Sequence, residues 1–220
     1  MEEGHVWKAV IIIGIAIFVL FSYNAYSIYG LLKSGTHRIV SGELNLAEKD
    51  VRPMGVPSIY GDELKIKYEY VSPANQKLAD GTIHLLGQYD INIQLNQEEL
   101  ARYTNILFRM HNGISCEYCC DAPAVIFENG QAACGCAHSY AMRGLAKYLI
   151  KNHGSEYTDE QIFTEVAKWK TLFFPTQINA KAKVLAEKGI PVTYTNLGSN
   201  EYRGIKVDSD SYGLEMVGGC

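Results

Sequence analysis

The sequence lacks the motifs that would assign it to a common class of nucleotide-binding, haem-binding or nucleic-acid-binding protein. It has no P-loop and no glycine-rich dinucleotide motif, and no C-x-x-C-H motif for covalent haem attachment. The net charge is −4 and lysine and arginine form no block, so no nucleic-acid partner is expected. Internal repeats and low-complexity segments are also missing. Two features remain, an apolar N-terminal run and a cluster of cysteines.

The N-terminal region is typical of a membrane anchor. Residues 1–8 form a short tail with two acidic residues and one lysine, and Ala9 to Phe21 is an unbroken run of apolar residues and glycine. Residues 9–32 suffice for a transmembrane helix, which takes about 20 residues, if the tyrosines lie at the headgroups. The alternative is a cleaved signal peptide with a cleavage site near Ala25 to Ser27. The acidic tail favours the retained anchor, because signal peptides begin with basic residues.

The side of the membrane that holds the rest of the chain stays open. More basic residues follow the apolar run than precede it, where Lys8 stands alone, and this favours a cytoplasmic domain. The acidic tail before the span is typical of an anchor that exports its domain. Our slight preference is an extracytoplasmic domain on a single-pass membrane protein.

The rest of the chain is predicted to be mainly α-helical. Residues 33–71 are predicted as a stalk that ends in a short strand, since Leu64 to Val71 alternates apolar and polar residues. Residues 72–190 show helical periodicity and predict a small helical domain, whose first helix stops at Gly87. Residues 191–220 are predicted as an extended tail that ends in Cys220. Capping signals place helix starts at Ser72, Asn96, Thr158 and Thr176. Helical spacing predicts a further helix from Ala137.

Five of the six cysteines fall within the 21 residues from Cys116 to Cys136. Cysteines two or three residues apart are chelating groups, because both sulfurs can reach one metal ion. Between the two outer pairs, residues 124–134 predict a β-hairpin that turns at Asn129-Gly130. The candidate metal ligands are Cys116, Cys119, Cys120, Cys134, Cys136 and His138.

This order of a turn, a hairpin and a helix that begins at the second ligand pair resembles the treble-clef zinc module. The resemblance covers about residues 115–153 and implies a Cys-rich metal module inserted in the helical domain. The second pair is C-x-C, where that module usually has two intervening residues, so His138 or Cys120 is an alternative to one of the four ligands. The stretch CEYCC…CGCAHSYAMRGL also resembles an uncharacterised prokaryotic family with a membrane anchor, which implies no activity.

The ligand chemistry favours zinc. A structural zinc site takes four nitrogen or sulfur ligands, and the two outer pairs, Cys116, Cys119, Cys134 and Cys136, suffice. The surplus thiols would suit copper(I) or a second metal ion, and an iron–sulfur cluster is a weaker alternative. Two disulfides are expected instead if the domain is exported, although adjacent cysteines strain the bridge geometry.

Two catalytic interpretations remain weaker alternatives. Cys116-x-x-Cys119 has redox-pair spacing, but it follows a helix end and not a strand. A cysteine–histidine nucleophile, formed by Cys116 or Cys120 with His138 or His111, lacks a supporting motif. Near the cluster, Arg143 is interpreted as a surface side chain.

The sequence thus predicts a membrane-anchored, non-enzymatic metal-binding protein whose zinc site is structural for an interaction domain. A copper(I)-handling protein at the membrane surface is the first alternative, and a thiol oxidoreductase is the second. The expected partners are the membrane and a protein or metal donor or acceptor.

Overall fold

The structure is a computed structural model that describes residues 50–205 and 216–219. These residues belong to one compact unit. Several predicted regions lie outside the described residues. They are the N-terminal tail at residues 1–8, the anchor at residues 9–32, residues 33–49 of the stalk, and residues 206–215 and Cys220 of the C-terminal tail. Within the described ranges, no helix combines the length and the apolar character needed to cross a bilayer.

The described residues form a mainly helical fold and contain no β-strand. A π-helical turn covers Asn105–Arg109, directly after the third helix. Single 3-10 turns cover Tyr68–Tyr70, Pro73–Asn75, Met110–Asn112 and Asn200–Tyr202. The α-helices are α1 (Gly61–Leu64), α2 (Gln76–Asn92), α3 (Gln97–Thr104), α4 (Ala137–His153), α5 (Asp159–Phe173), α6 (Pro175–Glu187) and α7 (Tyr194–Gly198).

The starts of α3 and α5 follow the capping signals in the sequence. The start predicted at Thr176 is wrong, because α6 begins at Pro175 after Phe174, and Ser72 caps a 3-10 turn that precedes α2. Asn96 and Glu99 form a capping box at α3, and Thr158 begins α5 in the same way with Gln161. These boxes satisfy backbone N–H groups that have no partner within the helix. Cys136 is the N-cap residue of α4, so the predicted start at Ala137 is confirmed.

The predicted stop of the first long helix at Gly87 is wrong, because α2 runs on to Asn92. Gly87 lies against Tyr140 of α4, and Gly144 of α4 lies against the carbonyl oxygen of Leu86. A glycine with no Cβ lets the two helix backbones approach closely. Packing between α2 and α4 therefore outweighs the modest helix-breaking tendency of glycine.

The core is built around α5. Its largest side chains, Phe163, Trp169 and Phe173, are fully buried. Apolar side chains from α2, α4 and α6 bury against the same core, including Leu86, Leu145 and Ile178. We call α2, α4 and α5 the helical body.

The predicted strand over Leu64 to Val71 is wrong. The segment contains the end of α1 and a 3-10 turn, and its inward side chains are held by α5. The Tyr68 hydroxyl donates to the Glu165 carboxylate at 2.7 Å, and Tyr60 does so at 2.9 Å. The alternation of apolar and polar residues reflects which side chains are buried, without a partner strand.

Two segments predicted to lie outside the domain pack into its core. Val51 and Tyr60, from the predicted stalk, are fully buried. Leu197 and Val217, from the predicted extended tail, are also buried, and the backbone N–H of Val217 donates to the carbonyl of Phe173 at 3.0 Å. The described part of the tail is therefore docked, and it contains α7.

Candidate metal centre

Four cysteine sulfurs lie together in one cage. The Sγ atoms of Cys116, Cys120, Cys134 and Cys136 all lie within 4.8 Å of one another. Cys116 and Cys136 are 3.2 Å apart, and Cys120 and Cys134 are 2.6 Å apart. A tetrahedral zinc ion with Zn–S bonds of about 2.3 Å separates its sulfurs by about 3.8 Å. Small adjustments of these side chains would therefore let the four sulfurs hold one metal ion.

The chain reverses sharply before it enters the cage. His111, Asn112 and Gly113 adopt positive φ angles of 49°, 60° and 78°. This left-handed run ends the helical segment and brings Ile114 into an antiparallel bridge with Ser199. Backbone strain of this kind persists only where the surrounding structure holds it.

The predicted β-hairpin over residues 124–134 is wrong as a pair of strands. The turn at Asn129-Gly130 forms, with the N–H of Gly130 donating to Phe127 O at 2.9 Å. Among the described residues, a single antiparallel β-bridge, between Ile126 and Ala132, flanks this turn. Two-stranded hairpins are marginal without further partners, and this one ends where the chain turns into the cage. We call residues 114–136 the cysteine segment.

The Arg143 side chain donates hydrogen bonds to backbone carbonyl groups of the cysteine segment. Its guanidinium donates to Cys134 O at 2.7 Å and to Val125 O at 3.2 Å. It also forms a 2.7 Å ion pair with Asp90 of α2. Arg143 is 1% exposed, so its interpretation as a surface residue is wrong. One buried side chain joins α2, α4 and both sides of the turn.

Cys136 is the most acidic thiol of the cage. Hydrogen bonds from Cys116, His138 and Ser139 outweigh burial and lower the pKa of the Cys136 thiol to about 3. Cys116 donates its thiol proton in the bond to Cys136. This bond and burial raise the pKa of Cys116. Burial raises the pKa of Cys120 to about 11. The cage thus holds the Cys136 thiolate beside the protonated Cys116 thiol. A metal ion that bound both sulfurs would displace the proton of Cys116.

A buried ion cluster lies next to Cys116. Glu117 accepts from Lys170 at 3.0 Å and from Lys181 at 3.2 Å. Both lysines are at most 1% exposed. Burial lowers the pKa of Lys170 and lowers that of Lys181 to about 8. Two ammonium groups face one carboxylate, so the cluster carries more positive than negative charge where both lysines are protonated.

His138 and Cys119 form a second group that shares Cys136 with the cage. One ligand atom from each of Cys119, Cys136 and His138 lies within 4.8 Å of the others. Cys119 is disulfide-bonded, whereas the four cage cysteines are free thiols. His138 is fully buried, and its Nε2 lies 2.9 Å from the carbonyl oxygen of Val217.

The structure therefore places the six predicted residues in two overlapping groups. Cys120 stands in the four-sulfur cage where the treble-clef resemblance implies Cys119, because Cys119 is in a disulfide. Glu117 binds the buried lysines, while Asp121 is exposed and pairs with Arg203. His111 lies outside both groups and pairs with Glu160.

Sequence reasoning missed the residues that surround the cage. Ser139 Oγ lies 3.0 Å from the sulfur of Cys116, and its position three residues after the helix N-cap Cys136 is the signal that could have found it. Lys170 and Lys181 carry no such signal. They lie on α5 and α6 and reach the cage only through the tertiary fold.

Comparison with family models, curated proteins and solved structures finds no match for this chain. The fold and the site therefore define the protein by themselves. It is a mainly helical protein with a cysteine cluster that is placed to hold a metal ion.

Proposed function

We propose that this is a membrane-anchored, non-enzymatic metal-binding protein whose cage binds zinc and thereby fixes the cysteine segment on the helical body. The observation that carries the proposal is the convergence of four free thiols within 4.8 Å. Zinc favours four sulfur ligands in a closed tetrahedral site. The four sulfurs come from both ends of the segment, so one ion would tie the turn to the start of α4.

The buried charges support an anionic occupant. Zinc bound by four thiolates carries a net charge of −2, which is costly to bury without compensation. The cluster of Glu117, Lys170 and Lys181 supplies the opposite charge beside Cys116. Burial lowers the pKa of Lys170, whereas Glu117 and, as a thiolate, Cys116 act to raise it. A thiolate cage would therefore offset part of the cost of burying these lysines.

The anchor and the partners come from the sequence. Residues 9–32 would hold the protein at the membrane, and the helical body would present a surface to a protein partner or a metal donor. The disulfide at Cys119 supports an extracytoplasmic domain, because disulfides persist in oxidising compartments.

The test is elemental analysis of the full-length protein, purified anaerobically in mild detergent without added metal, together with a thiol count. We expect one equivalent of zinc per chain and four thiols that react only after a chelator is added. Reactive thiols without metal would contradict a metal site. Copper in place of zinc would favour the copper(I)-handling alternative.

Thiol–disulfide exchange is the second candidate, and the 3.2 Å approach of the Cys116 and Cys136 sulfurs favours it. The Cys136 thiolate would attack a substrate disulfide and release one substrate thiol. Cys116 would then attack the Cys136 sulfur, release the second thiol and leave a protein disulfide. Fast alkylation of one thiol by iodoacetamide near neutral pH in the metal-free protein would support this candidate, and uniformly slow labelling would exclude it.

A further inference from the structure

We propose that Cys119, Cys136 and His138 form a second metal site, for a soft monovalent cation such as Cu(I), which opens when the disulfide at Cys119 is reduced. The inference rests on the proposed function, because the site shares Cys136 with the four-sulfur cage. It adds a redox condition that the cage lacks, since the four cage cysteines are already free thiols.

The first support is the placement of the three ligand atoms. They lie within 4.8 Å of one another, and Cys136 belongs both to this group and to the four-sulfur cage. Cu(I) is bound by soft thiolates, and two thiolates with one imidazole are a suitable set. A thiolate sulfur has more than one lone pair, so Cys136 can serve both sites.

The second support is the way His138 is held. Its ring packs against Phe173 and Phe174, with centroids 4.8 Å and 5.0 Å away. Its Nε2 lies 2.9 Å from Val217 O, which places the proton on that nitrogen and leaves Nδ1 for the cysteines. Metal-binding histidines are commonly oriented by a backbone carbonyl in this way.

The C-terminal segment provides this carbonyl. The N–H of Val217 donates to Phe173 O at 3.0 Å, and the N–H of Gly218 donates to Gln76 at 2.9 Å. Gly219 donates in turn to Asp80 of α2 at 3.0 Å. Three successive backbone bonds thus fix the segment that orients His138. This arrangement holds His138 beside the sulfurs of Cys119 and Cys136.

The disulfide controls access to the site. A sulfur in a disulfide is a poor ligand, because the thiolate is the form that binds metal. An external dithiol would donate two electrons and two protons to the Cys119 disulfide, which yields two protein thiols and leaves the dithiol oxidised. Cys119 would then lose its proton as it binds the cation. An external disulfide would accept the two electrons, which re-forms the Cys119 disulfide, releases the cation and leaves the external disulfide reduced to thiols.

The experiment measures zinc and copper together in the full-length protein. Zinc-loaded protein is divided, and one half is reduced with an immobilised dithiol resin that is removed before Cu(I) is added. After removal of loosely bound ions, we expect one zinc and no copper in the oxidised half, and one of each in the reduced half. Equal copper in both halves, or loss of zinc as copper enters, would overturn the proposal.

Two variants separate this site from the cage. Cys119→Ser should keep one zinc and gain no copper on reduction, and His138→Gln should keep zinc and lose the copper equivalent. Zinc retention shows that each variant is folded around the cage. Redox-dependent copper in Cys119→Ser would overturn the inference and leave the cage intact, whereas absence of zinc from the wild type would overturn the proposed function instead.

Discussion

The helical body and the cysteine segment are held together by different interactions. The body buries large apolar side chains such as Leu86, Leu145 and Trp169, and its helices begin at strong capping residues. The cysteine segment has isolated bridges, left-handed residues and four clustered thiols. Apolar burial is the dominant stabilising term in folding. We therefore expect the body to fold without metal and the segment to depend on it.

The largest expected effect comes from removing a cage ligand. Cys134→Ser should reduce bound zinc from one equivalent to near zero, because the binding energy of a structural zinc ion is on the order of 10 kcal/mol and depends on all of its ligands. Helicity measured by circular dichroism should stay close to the wild-type value. Gly135→Ala is the matched control, since nothing lies within 4 Å of its added Cβ. Full zinc content in Cys134→Ser would contradict the cage.

The second change acts on both regions at once. Arg143→Met leaves Asp90 without its buried partner and the carbonyls of Val125 and Cys134 without a donor. Breaking a buried ion pair costs about 3–5 kcal/mol, and loss of support around a ligand weakens metal binding by about 10–100-fold. Thermal unfolding and zinc competition measure the two effects.

Lys147→Met is the control for Arg143→Met. Lys147 also binds Asp90, but its side chain is more exposed and makes no bond to the cysteine segment. It should lower stability less and leave zinc affinity unchanged. An equal loss of affinity in both variants would show that Arg143 acts through the helical body alone.

A third change damages the body and spares the cage. Gly144→Ala places a methyl group against the carbonyl oxygen of Leu86, and overpacking of this kind costs about 1–3 kcal/mol. Gly81→Ala, on the same helix pair but in open space, should instead stabilise α2 by up to about 1 kcal/mol. The melting temperatures of the two variants should move in opposite directions, with one zinc retained in each.

The smallest expected effect is a pH dependence of the body. Burial lowers the pKa of His153, but Glu156 and Glu63 outweigh it, so the pKa is raised above 6.5. The resulting stabilisation is complete below pH 6.5 and disappears as the pH rises through the raised pKa. Because both carboxylates are about half exposed, it should stay below about 1 kcal/mol. His153→Gln should flatten the dependence of the melting temperature between pH 6 and 8, and an unchanged slope would contradict this assignment.

The sequence predicted the local features well because capping and turn signals act between residues close in the chain. The starts of α3, α4 and α5 and the turn at Asn129-Gly130 belong to this group. The extension of α2 past Gly87 was missed because it depends on packing against α4.

The candidate site shows the same division. Clustered cysteines and their spacing predicted where a metal would bind, but spacing alone favoured Cys119 over Cys120 as the fourth sulfur. The structure places Cys120 in the cage and Cys119 in a disulfide, and local spacing does not show which of two adjacent cysteines forms a disulfide. The buried Lys170 and Lys181 could not be predicted, because they approach Cys116 from helices far along the chain.

Hydrogen exchange with and without a chelator tests the central claim most directly. We expect the chelator to remove protection from amides in residues 114–136, while α2, α4 and α5 keep theirs. Thiol labelling in the same samples would show that the cage has been emptied. Unchanged exchange in the cysteine segment after metal removal, or equal loss of protection across the helical body, would contradict a metal ion that orders this segment on an independently stable body.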